Sequence, residues 1–306
     1  MKFIGKIAKY LLSLSGILVA IFLIWIKTND RGYYFRLMRD INYAELEERV
    51  DILRSSEPYM ADSVDFQMKI SIDSTRAVEI RKYFQLDTLY KVDDDTWTKA
   101  IAIGKFVAFN IPHANEHVPP HQKNAIDLWE YTKNVEPAFN CRLHSILTFE
   151  LLSSIGIKAR YITCLPKDKE DNDCHVVNEV WLPEKNKWAM LDTDMGGHYV
   201  TDKNGNLLSL REMREHYIAD KKMLMYHGFK NGTSKVDYYY AYMAKNTYWF
   251  FNWDNLGFYQ EDIVSYPKLE LRNKIYVLVP SGFKPFEWLF EGYQYVITSD
   301  EKQFWE

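Results

Sequence analysis

The sequence predicts an α+β protein in which a helix that begins with a cysteine packs on an antiparallel sheet. The stretch FNCRLHSILTFELLSS has apolar residues at helical spacing, and Gly156 ends it before the apolar run ARYITC. The segment HVVNEVWLP then alternates between apolar and polar residues, as a half-buried strand does. A polar turn at residues 184–187 separates it from KWAMLD, which predicts one more strand.

The first residues predict a membrane anchor. Lys2, Lys6 and Lys9 mark a cytoplasmic n-region at residues 1–9, and an almost uncharged apolar run follows at residues 10–27. A run of this length is near the minimum for crossing a hydrocarbon core about 30 Å thick. No small-residue cleavage site follows it, so we expect a retained, single-pass transmembrane signal anchor. The rest of the chain is then expected to lie outside the cytoplasm.

The chain beyond the anchor divides into three predicted regions. Residues 28–92 show the apolar spacing of helices, and residues 93–225 hold the cysteine-bearing helix and its strands. Residues 226–306 form a mixed, aromatic-rich C-terminal extension. With 47% hydrophobic residues the chain can bury a sizeable core. A net charge of −4 without a basic cluster argues against a nucleic-acid partner.

Three residues in these segments predict a catalytic site. Cys141 opens the helix, where the positive end of the helix dipole favours a thiolate nucleophile. His175 opens one strand and is expected to carry the proton between the thiol and a leaving amine. Asp192 ends the next strand and would orient the imidazole ring. The backbone N–H of Cys141 is one oxyanion donor, and Trp129 and Asn140 are candidates for the second.

The residues that follow the cysteine resemble the transglutaminase-like superfamily, which comprises cysteine enzymes with a papain-like core. In that family a block of the form LL-x-x-x-GI-x-AR-Y comes after the cysteine, and residues 151–161 match it. A second block, H-x-W-x-EV, is matched by His175, Glu179 and Val180, while Val177 stands in the tryptophan position. The resemblance covers about residues 95–215.

A third block of the family, a strand that ends in aspartate, is matched by Trp188 and Asp192. Thr193 replaces a frequent proline there, and Asn140 replaces the glycine that commonly precedes the cysteine. The resemblance implies a bacterial-type, membrane-tethered cysteine enzyme with Cys141 and two further triad members. The thiol chemistry itself needs no cofactor, and we expect no bound metal and a protein or peptide substrate.

Simpler interpretations exist for these residues and for two other features. Taken alone, a cysteine at a helix start is commonly a small buried apolar residue. Cys164 and Cys174 flank a polar loop and form either a disulfide or two reduced thiols.

The motif HANEH at residues 113–117 fits an inverted zinc-peptidase pattern, but the flanking prolines favour a polar loop at the cleft rim. The aromatic-rich segment at residues 237–260 is either a stacking platform or, as we prefer, core packing.

Together these features predict thiol-dependent acyl transfer on peptide or side-chain amides. Cys141 would form a thioester, which water resolves in a peptidase or amidase and an amine resolves in a cross-linking enzyme. Because the sequence has no calcium loop of the D-x-[DN]-x-[DN]-G type, we favour hydrolysis. The alternative class is a membrane-anchored binding or scaffold protein that uses the same cleft and the aromatic segment without turnover.

Overall fold

The computed structural model describes most of the chain. Its backbone is described at residues 2–29, 31–65, 67–171, 173–230, 232, 238–258, 274–291 and 293–306. Side chains are described from residue 15 onward over the same ranges, except at residues 29, 31–36, 38–40, 42 and 43. The predicted extension from residue 226 is therefore described in separate pieces.

The described residues form the mixture of helices and strands that the sequence predicts. The helices are α1 (Lys2–Asn29), α2 (Arg31–Arg54), α3 (Ser74–Phe84), α4 (Thr96–Asn110), α5 (Ala125–Asn134), α6 (Cys141–Ser154), α7 (Leu210–Ile218), α8 (Tyr238–Asn246) and α9 (Glu301–Trp305), with 3₁₀ turns at Leu86–Thr88 and Glu287–Phe290. The strands are β1 (Lys69–Ser71), β2 (Ala159–Leu165), β3 (His175–Leu182), β4 (Lys187–Leu191), β5 (His198–Asp202), β6 (Met223–His227), β7 (Trp249–Trp253), β8 (Asn255–Gly257), β9 (Lys274–Leu278) and β10 (Gln294–Thr298).

Helix α1 contains the segment for which the sequence predicts a membrane anchor. Residues 10–27 are helical throughout, and the side chains of residues 10–14 lie outside the described residues. In the part of the chain that the structure describes, no helix combines the length and the apolar content that a bilayer crossing requires. The anchor and its orientation stay predictions.

The main sheet has six strands in the order β10-β9-β7-β2-β3-β4. Strands β9 and β10 are parallel, and the other neighbours are antiparallel. Strands β2, β3 and β4 are the three that the sequence predicts, and their antiparallel pairing is confirmed. Strands β7, β9 and β10 come from beyond residue 226, so one sheet continues across the predicted boundary at residue 225. The boundary itself stays a prediction.

Helix α6 is the buried core helix on which the candidate nucleophile lies. Every residue from Leu143 to Ser154 is buried, because the helix packs on β2 and β3 as well as on α3, α4 and α5. The predicted glycine stop is confirmed, since Gly156 takes a φ of +82°, which favours glycine. Ser145 Oγ donates to the carbonyl of Val176 at 2.8 Å. This hydrogen bond holds the first turn of α6 against the first residues of β3.

Candidate active site

Cys141 is the first residue of α6, and its local geometry follows from the residue before it. Asn140 is the N-cap, and its Oδ1 accepts hydrogen bonds from the backbone N–H groups of Arg142 at 3.0 Å and Leu143 at 3.2 Å. Cys141 N–H has no acceptor among the described residues. A free N–H at the positive end of a helix dipole is suited to bind a developing negative charge.

His175 begins β3 and is fully buried. Its Nε2 donates to Asp192 Oδ2 at 2.7 Å. Cys141 Sγ lies within 4.8 Å of a His175 ring nitrogen, and Nδ1 has no hydrogen-bond partner among the described residues. The thiol thus lies near the ring without a hydrogen bond to Nδ1, as is common in cysteine and serine sites without substrate.

The charges of the His175–Asp192 pair stabilise each other in a buried environment. Burial alone would lower the pKa of His175, but the Asp192 carboxylate and the nearby thiol of Cys141 raise that pKa well above its ordinary value. Burial alone would raise the pKa of Asp192, but the His175 ring and the hydroxyl of Tyr239 hold it below its ordinary value. Both pKa directions favour the charged forms of the pair, an imidazolium and a carboxylate, although both groups are buried.

Asp192 has more partners than the sequence predicted. Its Oδ1 accepts from the N–H of Asp194 at 2.8 Å, and its Oδ2 accepts from Tyr239 Oη at 2.5 Å. Backbone hydrogen bonds join Asp192 to His198 in both directions. The His198 ring in turn stacks on Tyr239, with ring centroids 3.8 Å apart. These contacts fix the carboxylate that faces His175.

Helix α8 brings part of the aromatic-rich segment into the site. Tyr239 contacts Asp192 as described, and the Tyr242 and His175 rings pack in a T-shaped arrangement at a centroid distance of 5.3 Å. Tyr242 Oη also donates to the carbonyl of Cys174 at 3.1 Å. Most described rings of residues 238–258 are buried, whereas Tyr238 is exposed. The core-packing interpretation accounts for most of the segment, and two of its tyrosines border the site.

A second carboxylate, which the sequence analysis missed, lies beside the same thiol. Asp194 is fully buried, and one of its oxygens lies within 4.8 Å of both Cys141 Sγ and a His175 ring nitrogen. His113 Nδ1 contacts both Asp194 oxygens, at 2.8 and 3.0 Å, and His144 Nε2 lies 3.6 Å from the carboxylate. Cys141, His175 and Asp194 are a donor set that could hold a thiophilic metal ion.

The HANEH loop has a different role from the one that the zinc-peptidase pattern implies. Its His113 faces Asp194, while Glu116 accepts from the N–H of Asn140 at 2.7 Å and from its side-chain amide at 2.9 Å. His117 is 92% exposed. The three motif residues therefore have separate surroundings, and the loop binds the N-terminus of α6. This agrees with the interpretation of a polar loop near Cys141.

One of the two sequence candidates for the second oxyanion donor is engaged elsewhere. The amide of Asn140 donates to Glu116, and the Trp129 ring stacks on Phe106 at 5.0 Å and packs edge-on against Phe84 at 5.6 Å. The Asn140 amide is therefore held by Glu116, whereas Trp129 stays a candidate because ring contacts do not occupy its indole N–H.

The three cysteines are free thiols, so the disulfide alternative for Cys164 and Cys174 is not what the structure contains. The strand register explains this, because Cys164 lies opposite His175 rather than opposite Cys174. Cys164 is fully buried, and Cys141 and Cys174 are half-buried.

Two residues that carry the family resemblance have a structural role. Arg160 and Glu179 form a buried ion pair, with Nη2 2.7 Å and Nε 2.9 Å from Oε2. The other carboxylate oxygen of Glu179 accepts from the N–H of Leu210 at 2.8 Å. A nearby cavity of about 600 Å³, lined by Arg160, Trp188 and Trp305, contains none of the residues around Cys141.

The cysteine-bearing helix, the antiparallel strands and the buried histidine–aspartate pair define a papain-like arrangement. Residues 85–193 match the family model of the transglutaminase-like superfamily, so the chain carries a transglutaminase-like domain over about a third of its length. None of the curated proteins compared with the chain matches it.

Two solved structures resemble the chain. One is an inferred cysteine protease from Cytophaga hutchinsonii, with 17% identity and a TM-score of 0.32, covering 58% of this chain and 56% of that one. The other is an inferred protease from Parabacteroides distasonis, with 10% identity and a TM-score of 0.26, covering 64% of this chain and 31% of that one. The chain thus spans about half of the first protein and a third of the second.

Proposed function

We propose that the protein is a thiol-dependent acyl-transfer enzyme that hydrolyses peptide or side-chain amide bonds. The observation that carries the proposal is the contact between a cysteine at a helix N-terminus and a buried histidine–aspartate pair. Such a cysteine attacks as a thiolate, because the imidazolium holds the proton that the thiol has lost.

In the proposed reaction Cys141 Sγ bonds to the amide carbonyl carbon and the carbonyl π electrons move to oxygen. The oxyanion then reforms the carbonyl, the C–N bond breaks, and His175 gives its proton to the leaving amine. The thioester that remains is attacked by water, whose proton passes to His175, and the Cys141 thiolate leaves. An amine in place of water would give a cross-link instead. Asp192 stays ionised and orients the ring throughout.

Alkylation with iodoacetamide across about pH 4–9 tests the proposal, because the thiolate reacts and the thiol does not. The chain supplies its own control, since burial raises the pKa of both the Cys174 and the Cys164 thiols. We expect Cys141 to be labelled fast near about pH 6 while the other two remain slow, and we expect His175→Ala to remove this difference. Equal labelling rates at the three cysteines would contradict the proposed function.

The binding or scaffold alternative needs an exposed aromatic face. In the described part of the aromatic segment the rings are buried at Tyr239, Tyr242, Tyr248, Trp249, Phe250, Phe251, Trp253 and Phe258. This burial favours the enzyme over the alternative.

A further inference from the structure

A histidine–aspartate pair that the proposed mechanism does not use lies beside Cys141. We propose that His113 is a catalytic residue that donates the second hydrogen bond to the oxyanion, and that Asp194 positions it. The proposal rests on the proposed function, because it assigns a role in the same acyl-transfer step. The sequence pattern alone does not indicate that these two residues, which are far apart in the chain, meet.

The backbone brings His113 to the N-terminus of α6, where the oxyanion would form. His113 forms a parallel bridge with Phe139, which lies two residues before Cys141. Phe139 N–H donates to the carbonyl of Pro112 at 3.4 Å, and Ala114 N–H donates to the carbonyl of Phe139 at 3.2 Å. The loop therefore runs alongside the residues that precede the nucleophile, at the end of α6 where Cys141 N–H has no acceptor among the residues that the structure describes.

The side chain of His113 has one fixed and one available nitrogen. Nδ1 is held by Asp194, which is buried and lies within 4.8 Å of Cys141 Sγ. Nε2 has no hydrogen-bond partner among the described residues, and the side chain is 37% exposed. The proposed donor is the imidazolium form of His113, in which Nδ1–H donates to the Asp194 carboxylate and Nε2–H donates to a substrate oxygen as a charge-assisted hydrogen bond.

The other residues near Asp194 do not fit this role. His144 is only 1% exposed, so its ring does not reach a substrate, and burial lowers its pKa. His175 is fully buried and holds the proton for the leaving amine. Oxyanion holes commonly use a backbone N–H together with a side-chain donor. Cys141 N–H and His113 Nε2–H supply that combination.

Two probes separate oxyanion stabilisation from activation of the thiol. Iodoacetamide alkylates Cys141 by displacement at carbon and forms no oxyanion, whereas p-nitrophenyl acetate acylates it through one. The nitrophenolate leaving group needs no proton, so the second probe does not report on proton donation. We expect His113→Ala to slow acylation about 10²-fold while alkylation stays unchanged. His113→Gln, which keeps a donor near the Nε2 position, is expected to recover part of the acylation rate.

His117→Ala is the matched control, because His117 lies in the same loop and its side chain is almost fully exposed. It is expected to leave both rates unchanged. An unchanged acylation rate in His113→Ala would overturn the proposal. A parallel loss of alkylation would also overturn it, because His113 would then only support the structure around Cys141. A wild-type Cys141 that is slow toward both probes would instead contradict the proposed function.

Discussion

Two histidine–aspartate pairs lie near one thiol, and they differ in burial. His175 and Asp192 are both buried, whereas His113 is 37% exposed and only its partner Asp194 is buried. A buried pair is held rigidly and stays out of reach of a large substrate, which suits proton transfer to and from the adjacent thiol. A pair with one exposed ring reaches a substrate atom directly. The difference in burial thus separates the two roles that we propose.

The largest expected effect is the loss in the free energy of unfolding when the histidine of each pair is replaced by alanine. His175→Ala leaves the Asp192 carboxylate buried without its cation, so we expect a loss of about 3–5 kcal/mol in the free energy of unfolding. His113→Ala vacates a position that is 37% exposed and so admits water beside Asp194, and a smaller loss of about 1–3 kcal/mol is expected. Urea unfolding of both variants measures the difference. Equal losses would mean that burial does not distinguish the pairs.

The hydrogen bond from Tyr239 to Asp192 sharpens the comparison, because the described contacts show no equivalent tyrosine at Asp194. Tyr239→Phe removes a donor to a buried carboxylate, and we expect it to lower the free energy of unfolding by about 1.5–3 kcal/mol. Tyr238→Phe on the same helix is the control, because Tyr238 is exposed. Two variants of equal stability would show that the Tyr239 contact contributes nothing.

The pH dependence of stability distinguishes the buried pair further. Because the folded-state pKa of His175 is raised, its stabilising contribution is complete below about pH 6.5 and is lost as the pH rises through the folded pKa. Because the folded-state pKa of Asp192 is lowered, its contribution is present above about pH 4 and is lost as the pH falls through the folded pKa.

The difference in unfolding free energy between wild type and His175→Ala measures this contribution. It is expected to decline toward high pH by at most about 1.4 kcal/mol per pH unit. A difference that does not change between about pH 5 and pH 11 would show that the pair carries no such charge.

The smallest expected effect concerns the N-terminus of α6, which carries Cys141, the thiol near both pairs. Asn140→Ala removes the cap of α6 and is expected to cost about 1 kcal/mol in the free energy of unfolding and to slow alkylation of Cys141. Asp95 caps α4 in the same way, accepting from Thr98 N–H at 2.7 Å. Asp95→Ala is therefore expected to cost a similar amount without changing the alkylation rate. Equal alkylation rates in the two variants would contradict a role of the cap in activation.

The local parts of the fold could be predicted from the sequence. Helical spacing and a glycine stop predicted α6, and alternation predicted β3, because each pattern depends only on neighbouring residues. The first-turn cysteine and the two strand-end residues were predicted in the same way. The catalytic role of these three residues remains a prediction that the experiments above test.

The remaining parts of the site depend on contacts between distant segments, which no local pattern encodes. Tyr239 is on a helix beyond the matched region and reaches Asp192 across 47 residues, and His113 reaches Asp194 across 81. Two signals were present in the sequence, namely a second aspartate two residues after Asp192 and a histidine in the HANEH motif. Neither signal indicated its partner, because the strand register and the loop path determine the pairing.

Detection of the thioester tests the central claim most directly. The protein is incubated with p-nitrophenyl acetate, quenched in acid and analysed by peptide mass spectrometry. The account predicts acetylation of Cys141 before Cys164 or Cys174, its removal by hydroxylamine, and its loss in His175→Ala. Acetyl groups spread over lysines, with Cys141 modified no faster than in the urea-unfolded chain, would contradict the assignment of Cys141 as the nucleophile.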